Sequence, residues 1–268
     1  TLSLHDALPI LCEPELIEEA FKLEKSIDVP CFVTPTEGIT EARLAYARFE
    51  GRSDDMARIA YETAAQFSPQ HLIAAIGPTG LPLDPTSAVS LKQSKKQYHD
   101  AVLALTQYPF DALYLTGFKS LDDAQCALMG ARAVYDGPVF ISLAPNGEGM
   151  FPGCRTLSEG VALCDEYGAD VIGIVSDAPA HVLVGFAKEM ASATDKPLLV
   201  DASVRRKDRR QFEPTDENPY PTADAVVELA VRLRAQGVQF LRASGAATPA
   251  YTGALLATVG GGDVVAPQ

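Results

Sequence analysis

The sequence predicts an α/β fold: a (β/α)8 TIM barrel, N-terminally truncated, with its first strand missing. Three observations predict it. Short β-branched and apolar runs alternate with longer amphipathic segments. The runs are mostly continuous instead of alternating, as in parallel strands buried on both faces. Strand starts recur at intervals of roughly 30 to 40 residues, the length of a βα unit in such a barrel.

The runs span residues 31–33, 72–76, 112–115, 139–143, 171–175, 198–200 and 239–241. Helical patterns lie between them at 15–25, 54–67, 121–134, 159–167, 180–190 and 223–235. The first places Leu16, Ile17, Ala20 and Phe21 on one stripe. Ser120 with Asp123 three residues on reads as a capping box, and Thr248-Pro249 as an N-cap followed by proline at the first helical position. Gly137, Gly168 and Gly237 stand where helices should end. Seven strands are visible, one fewer than a closed barrel needs.

The opening decapeptide TLSLHDALPI back-translates into a common short-read sequencing adapter. Residues 1–10 are therefore read as an assembly artefact, with the gene extending upstream. The expected organisation is one barrel over 11–258 and a flexible tail or linker start over 259–268. A missing first strand would leave two strand edges unpaired. With 268 residues and a formal charge of −13, the chain is a poor ligand for nucleic acid or anionic membranes. No apolar run approaches the ~20 residues needed to span a bilayer. Five scattered cysteines without CxxC spacing suit free thiols in a reducing cytoplasm.

In such barrels chemistry sits at the C-terminal strand ends. Those ends carry Thr34, Thr36, Gly77, Thr116, Ser142, Ser176, Asp177, Asp201, Ser203, Ser244 and Gly245, together the expected substrate pocket. The inventory is rich in hydroxyls. Its acids, Asp177, Asp201 and Glu37, suit a hard oxygen-ligated ion better than zinc. Asp177 reads first as a helix cap, and Asp201 equally as a cap or a functional acid. The run Arg205-Arg206-Lys207-Asp208-Arg209-Arg210 reads as a solvated loop or as a phosphate or polyanion clamp, the loop being the first choice.

Laid out this way, from about Glu13 to Leu256 the chain resembles the homocysteine S-methyltransferases and the homocysteine-binding part of cobalamin-dependent methionine synthase. The family's x-Pro-x-x-Ile helix is here Glu13-Pro14-Glu15-Leu16-Ile17, and its Thr-Asn-Thr strand end is Thr34-Pro35-Thr36. Gly-Pro-Thr/Tyr-Gly is Gly77-Pro78-Thr79-Gly80, and the Gly-Arg-Thr-Leu loop is Gly153-Cys154-Arg155-Thr156-Leu157 with one insertion. Gly-Ala-Asp-x-Ile-Gly-x-Asn-Cys is matched from Gly168-Ala169-Asp170 to Val175-Ser176. Gly-Gly-Cys-Cys-Gly-Thr-Thr-Pro becomes Arg242-Ala243-Ser244-Gly245-Ala246-Ala247-Thr248-Pro249.

The resemblance implies a zinc ion held by three thiolates, at positions that are Ser176, Ser244 and Gly245 in this sequence. An alcohol is a poor zinc ligand at neutral pH and glycine supplies no ligand. The family's substrate-holding Glu is Thr116, one Asn is Pro35 and another falls near Ser203. The family's first-strand Asp-Gly-x-x-Gly-Thr motif has no counterpart. The expected function is methyl transfer to a small acceptor, with no bound cofactor, no zinc, and a corrinoid or folate partner as candidate methyl donor. The alternative is a catalytically silent barrel that binds a ligand or a subunit. A metal-dependent lyase or aldolase on the same fold is a weaker third reading.

Overall fold

The computed structural model describes residues 9–207 and 211–260. Residues 1–8 of the opening decapeptide and 261–268 of the tail lie outside the described residues. Pro9–Cys12 forms a short helix, α1, in which Ile10 is fully buried against the core.

The chain continues through α2 (Pro14–Ser26), β1 (Cys31–Thr34), α3 (Glu41–Tyr46), α4 (Ser53–Ala65), β2 (His71–Ile76) and α5 (Ala88–Leu105). Next come β3 (Ala112–Phe118), α6 (Leu121–Arg132), β4 (Val139–Leu143), a hairpin of β5 (Met150–Phe151) with β6 (Arg155–Thr156), and α7 (Leu157–Glu166). The last third adds β7 (Val171–Ser176), α8 (Ala180–Ala193), β8 (Leu198–Val204), α9 (Ala225–Ala235), β9 (Phe240–Gly245) and α10 (Pro249–Val259).

Seven strands form one parallel sheet in the order β1-β2-β3-β4-β7-β8-β9. Strand parity divides the core. One face packs Phe32, Ile76, Leu115, Ile141 and Ile174 against the helices. The other gathers Ile73, Ala75, Ala112, Tyr114, Val171 and Leu199 into an inner cluster, with Cys31, Val33 and Phe140 packed on it. The sheet curls far enough to bring Phe140 of β4 edge-on to Phe240 of β9, ring centroids 5.0 Å apart. The result is a seven-stranded barrel open between β1 and β9, each of which has one paired neighbour among the described strands. Beside that opening, Phe240 and Gly245 at the two ends of β9 are exposed and the four residues between them only half-buried.

Gly173 is required where β7 meets β8, because a Cβ there would lie 2.3 Å from the Leu199 carbonyl oxygen. The β3–β4 register shifts between Thr116 and Phe118, and Gly117 absorbs the irregularity at φ +86°.

Several elements differ from the sequence expectation. Leu16 points outward at 59% exposure, and only Phe21 of its stripe is buried. The 18-residue α5 has no counterpart in the expected helices, because its buried face includes Ser94 and Tyr98 and so breaks the apolar pattern. Ser120 accepts from the Asp123 amide, but the Asp123 carboxylate takes hydrogen bonds from Tyr98 and Ser94 instead of completing a capping box. A full capping box occurs where none was expected, between Thr156 and Glu159 at the start of α7. Thr248 sits at the N-cap of α10 without a side-chain cap bond.

Candidate active site

The expected residues lie at one end of the sheet, where the strands exit, but their side chains serve three different purposes. The first group stitches strands together. Thr34 and Thr36 are fully buried, with hydroxyls 3.0 Å apart. Thr36 donates to the Ala75 carbonyl at 2.7 Å and Thr34 to Ile73 at 3.4 Å. Gly77 donates its amide to the Glu37 carbonyl at 2.9 Å, and a Cβ at Gly77 would approach that oxygen to 3.0 Å. These residues hold the β1 and β2 exits in contact.

The second group is a hydroxyl ladder inside the barrel. Tyr114 donates to Ser142 Oγ at 2.8 Å, Thr116 Oγ1 lies 3.1 Å from the same oxygen, and the Gly117 amide reaches it at 3.3 Å. Burial pushes the Tyr114 phenol well above its usual range, with the nearby Asp201 charge adding to the effect.

The third group centres on a residue absent from the expected pocket. Arg242, inward on β9, donates through Nη1 to Asp201 Oδ2 at 2.7 Å. Its guanidinium stands 5.5 Å from the Tyr114 ring centroid, and Nη2 lies 3.9 Å from Glu37. Burial opposes the Arg242 charge, but Asp201, Tyr114 and Glu37 outweigh it and raise the basicity of the group. Asp201 is completely buried; Tyr114 also reaches its Oδ2 at 3.4 Å, while Oδ1 has no partner. Glu37 has its carboxyl raised by burial, partly offset by Arg242. At the end of α2, burial lifts Glu24 to about 7 against the same opposing charge. Arg242 thus gathers groups from β8, β3, the β1 exit and α2. An arginine at inward parity in the run Phe240-Leu241-Arg242-Ala243-Ser244 was the sequence signal for it.

The remaining positions lie across the β7, β8 and β9 exits. Ser176 pairs in register with Ala202, Ser203 with Ser244, and Val204 with Gly245. Ser176 Oγ accepts the Ala178 amide at 3.2 Å, closing the turn after β7. Asp177 does not cap α8, which has Pro179 at its N-cap; its Oδ2 instead pairs with Arg205 Nε at 2.6 Å. Asp177, Asp201 and Glu37 therefore do not converge on a common ion: the first faces Arg205, the other two Arg242. Among the described residues, no three His, Cys, Asp or Glu side chains come together so as to hold a metal.

This architecture defines a parallel α/β barrel with a polar interior and a hydroxyl-lined mouth. A comparison with protein families matches residues 6–261 to Homocysteine S-methyltransferase, and the chain belongs to that family. Among solved structures, it is similar to the homocysteine methyltransferase MmuM from Escherichia coli. The oxidized form superposes with a TM-score of 0.78 at 16% identity, covering 96% of this chain and 89% of that one. The metallated form gives 0.76 at 17% identity, with 96% and 90% covered. The apo form gives 0.70 at 16% identity, with 94% and 88% covered. A search of curated proteins gives no match.

The family's zinc can be tested against the residues present. At the three positions where the resemblance places thiolates stand two alcohols and a glycine. Gly245 has φ +71°, and a Cβ there would lie 2.6 Å from the Val204 carbonyl oxygen. This backbone has no room for a ligand side chain at the third position. The donor set does not fit a zinc–thiolate centre.

Proposed function

We propose that this protein transfers a methyl group to a small acceptor at the C-terminal mouth of its barrel, without a zinc–thiolate. Family membership supports methyl transfer. The observation that carries the finer reading is the trio Ser176, Ser244 and Gly245, whose chemistry and backbone supply no thiolate cradle.

In the proposed reaction the acceptor's lone pair attacks the methyl carbon, and the bond from that carbon to the donor breaks with its electron pair. A proton leaves the acceptor. Glu37, 40% exposed at the β1 exit, is the carboxylate placed to take it. Burial raises its affinity for that proton. The proposed methyl donor is a corrinoid or folate carried by a partner protein. The five free cysteines suit a reducing cytoplasm; no helix among the described residues is long and apolar enough to cross a membrane.

The test has two arms. Metal analysis of the purified protein should find no stoichiometric zinc. Transfer of an isotope-labelled methyl group, from each donor class to a panel of small thiols, amines and alcohols, should be insensitive to chelators. Stoichiometric zinc with chelator-sensitive methylation of homocysteine would sink the proposal. One observation favours a second reading, a silent ligand-binding barrel: apart from Asp201 Oδ1, the interior hydroxyls and the Arg242–Asp201 pair are already engaged with one another. That reading expects ligand binding with no turnover for any donor.

A further inference from the structure

Of the cationic run after β8, residues 208–210 lie outside the described residues; Arg205 and Lys207 stand apart from the Arg242 cluster. Beside them lies a cavity of about 300 Å3 between the β8 exit, the 221–223 segment and the start of α10. Its wall includes Arg205, Lys207, Thr222, Thr248 and Tyr251 and, among the described residues, no carboxylate. That lining stands out in a chain of net charge −13.

The cations are held in place. Asp177, which is not part of the wall, grips Arg205 through Nε at 2.6 Å, and the charge of Glu217 also acts on it. Among the described residues Lys207 makes no ion pair; its ammonium rests 5.3 Å from the Phe212 ring centroid. The opposite wall is also fixed: the Tyr251 hydroxyl donates to the Tyr220 carbonyl at 3.0 Å, and the Tyr220 hydroxyl to Ala178 at 2.8 Å. Thr248, uncapped, keeps its hydroxyl available on that wall.

We infer that this cavity is a binding site for a phosphate dianion, either free or carried as a monoester by a small molecule. Two cations of different geometry and two threonines line the same cavity and offer donors of different kinds. That arrangement matches a tetrahedral oxyanion better than a planar carboxylate. A polyanion such as nucleic acid is disfavoured by the chain's overall charge. The site lies beyond the methyl-transfer reading and does not depend on it.

The probes are inorganic phosphate and phenyl phosphate, titrated calorimetrically into the full chain at constant ionic strength, with chloride as the balancing anion. Both should bind saturably at millimolar concentration or below. Lys207→Gln should weaken binding about tenfold, the scale of one charge-assisted hydrogen bond. Its unfolding midpoint in chloride should match the wild type, because Lys207 is exposed. Tighter binding of phenyl phosphate would assign the site to a small-molecule monoester, and equal binding to the oxyanion itself; both outcomes support the cavity. Absence of saturable binding by either probe overturns the inference. So does undiminished binding in the Lys207→Gln/Thr248→Val double variant.

Discussion

Replacing Arg242 by Met would strand Asp201. The carboxylate is fully buried, and its Oδ1 already lacks a partner. With the 2.7 Å bond from Arg242 gone, only the 3.4 Å contact from Tyr114 remains. Removing one partner of a buried pair costs about 3–5 kcal/mol. Arg242 is itself 26% exposed, so water screens part of the interaction and the lower end of that range applies. Asp201→Asn should cost less, about 1–3 kcal/mol, because Arg242 keeps Glu37 at 3.9 Å and some solvent. The Asp201→Leu/Arg242→Met double variant removes both charges and should recover most of the loss, since apolar replacements of a buried pair are often near neutral. Urea unfolding of all variants checks the order: Arg242→Met least stable, Asp201→Asn intermediate, the double close to wild type. Additivity of Asp201→Leu and Arg242→Met, with the double losing the sum of its singles, would refute the pairing argument.

Three further outcomes are expected. Glu24 rises from 4.5 to about 7 on folding, so its protonated form favours the native state. Stability from this group is complete below pH 4.5 and is lost as pH rises through about 7; Glu24→Gln should flatten the decline in unfolding free energy across that window, and an unchanged slope would rule out the assignment. Ser142→Ala deletes the oxygen that accepts from Tyr114 and the Gly117 amide and shares a hydrogen bond with Thr116, and should cost about 1–3 kcal/mol in chemical denaturation; a loss under half of that would mean that water replaces it. Grafting Ser176→Cys, Ser244→Cys and Gly245→Cys together should not create a stoichiometric zinc site, because the third side chain would collide with Val204; tight zinc binding with an unperturbed fold would contradict that geometry.

The order and type of the strands were legible because six of the seven bury apolar residues deeply enough to read as runs, the half-buried β9 still shows Phe240-Leu241, and turns such as Gly168 and Gly237 take φ of +83° and +84°. Strand ends were less legible. β8 extends to Val204 and β9 to Gly245, through Asp201, Ser203, Arg242 and Ser244, polar residues that face the barrel interior and break the apolar signal. The same polarity hid the site's organisation. A list of strand-end hydroxyls cannot say that Thr36 is bound to Ala75 or that Asp177 turns to Arg205, because those choices depend on neighbours more than 25 residues away, 39 and 28 respectively.

Arg242 also links two departures that look separate in the sequence. It stands where the family motif places a glycine, on the strand that carries Ser244 and Gly245 in place of two cysteines. A glycine there leaves space in the barrel; a guanidinium fills it and brings a full positive charge. Asp201 offsets the guanidinium through a 2.7 Å contact and has one oxygen left over. On the proposed reading, the arginine, its buried counter-ion and the missing thiolates are consistent with one change in how the interior is charged, and Glu37, 3.9 Å from Arg242, is the proposed acceptor of the proton.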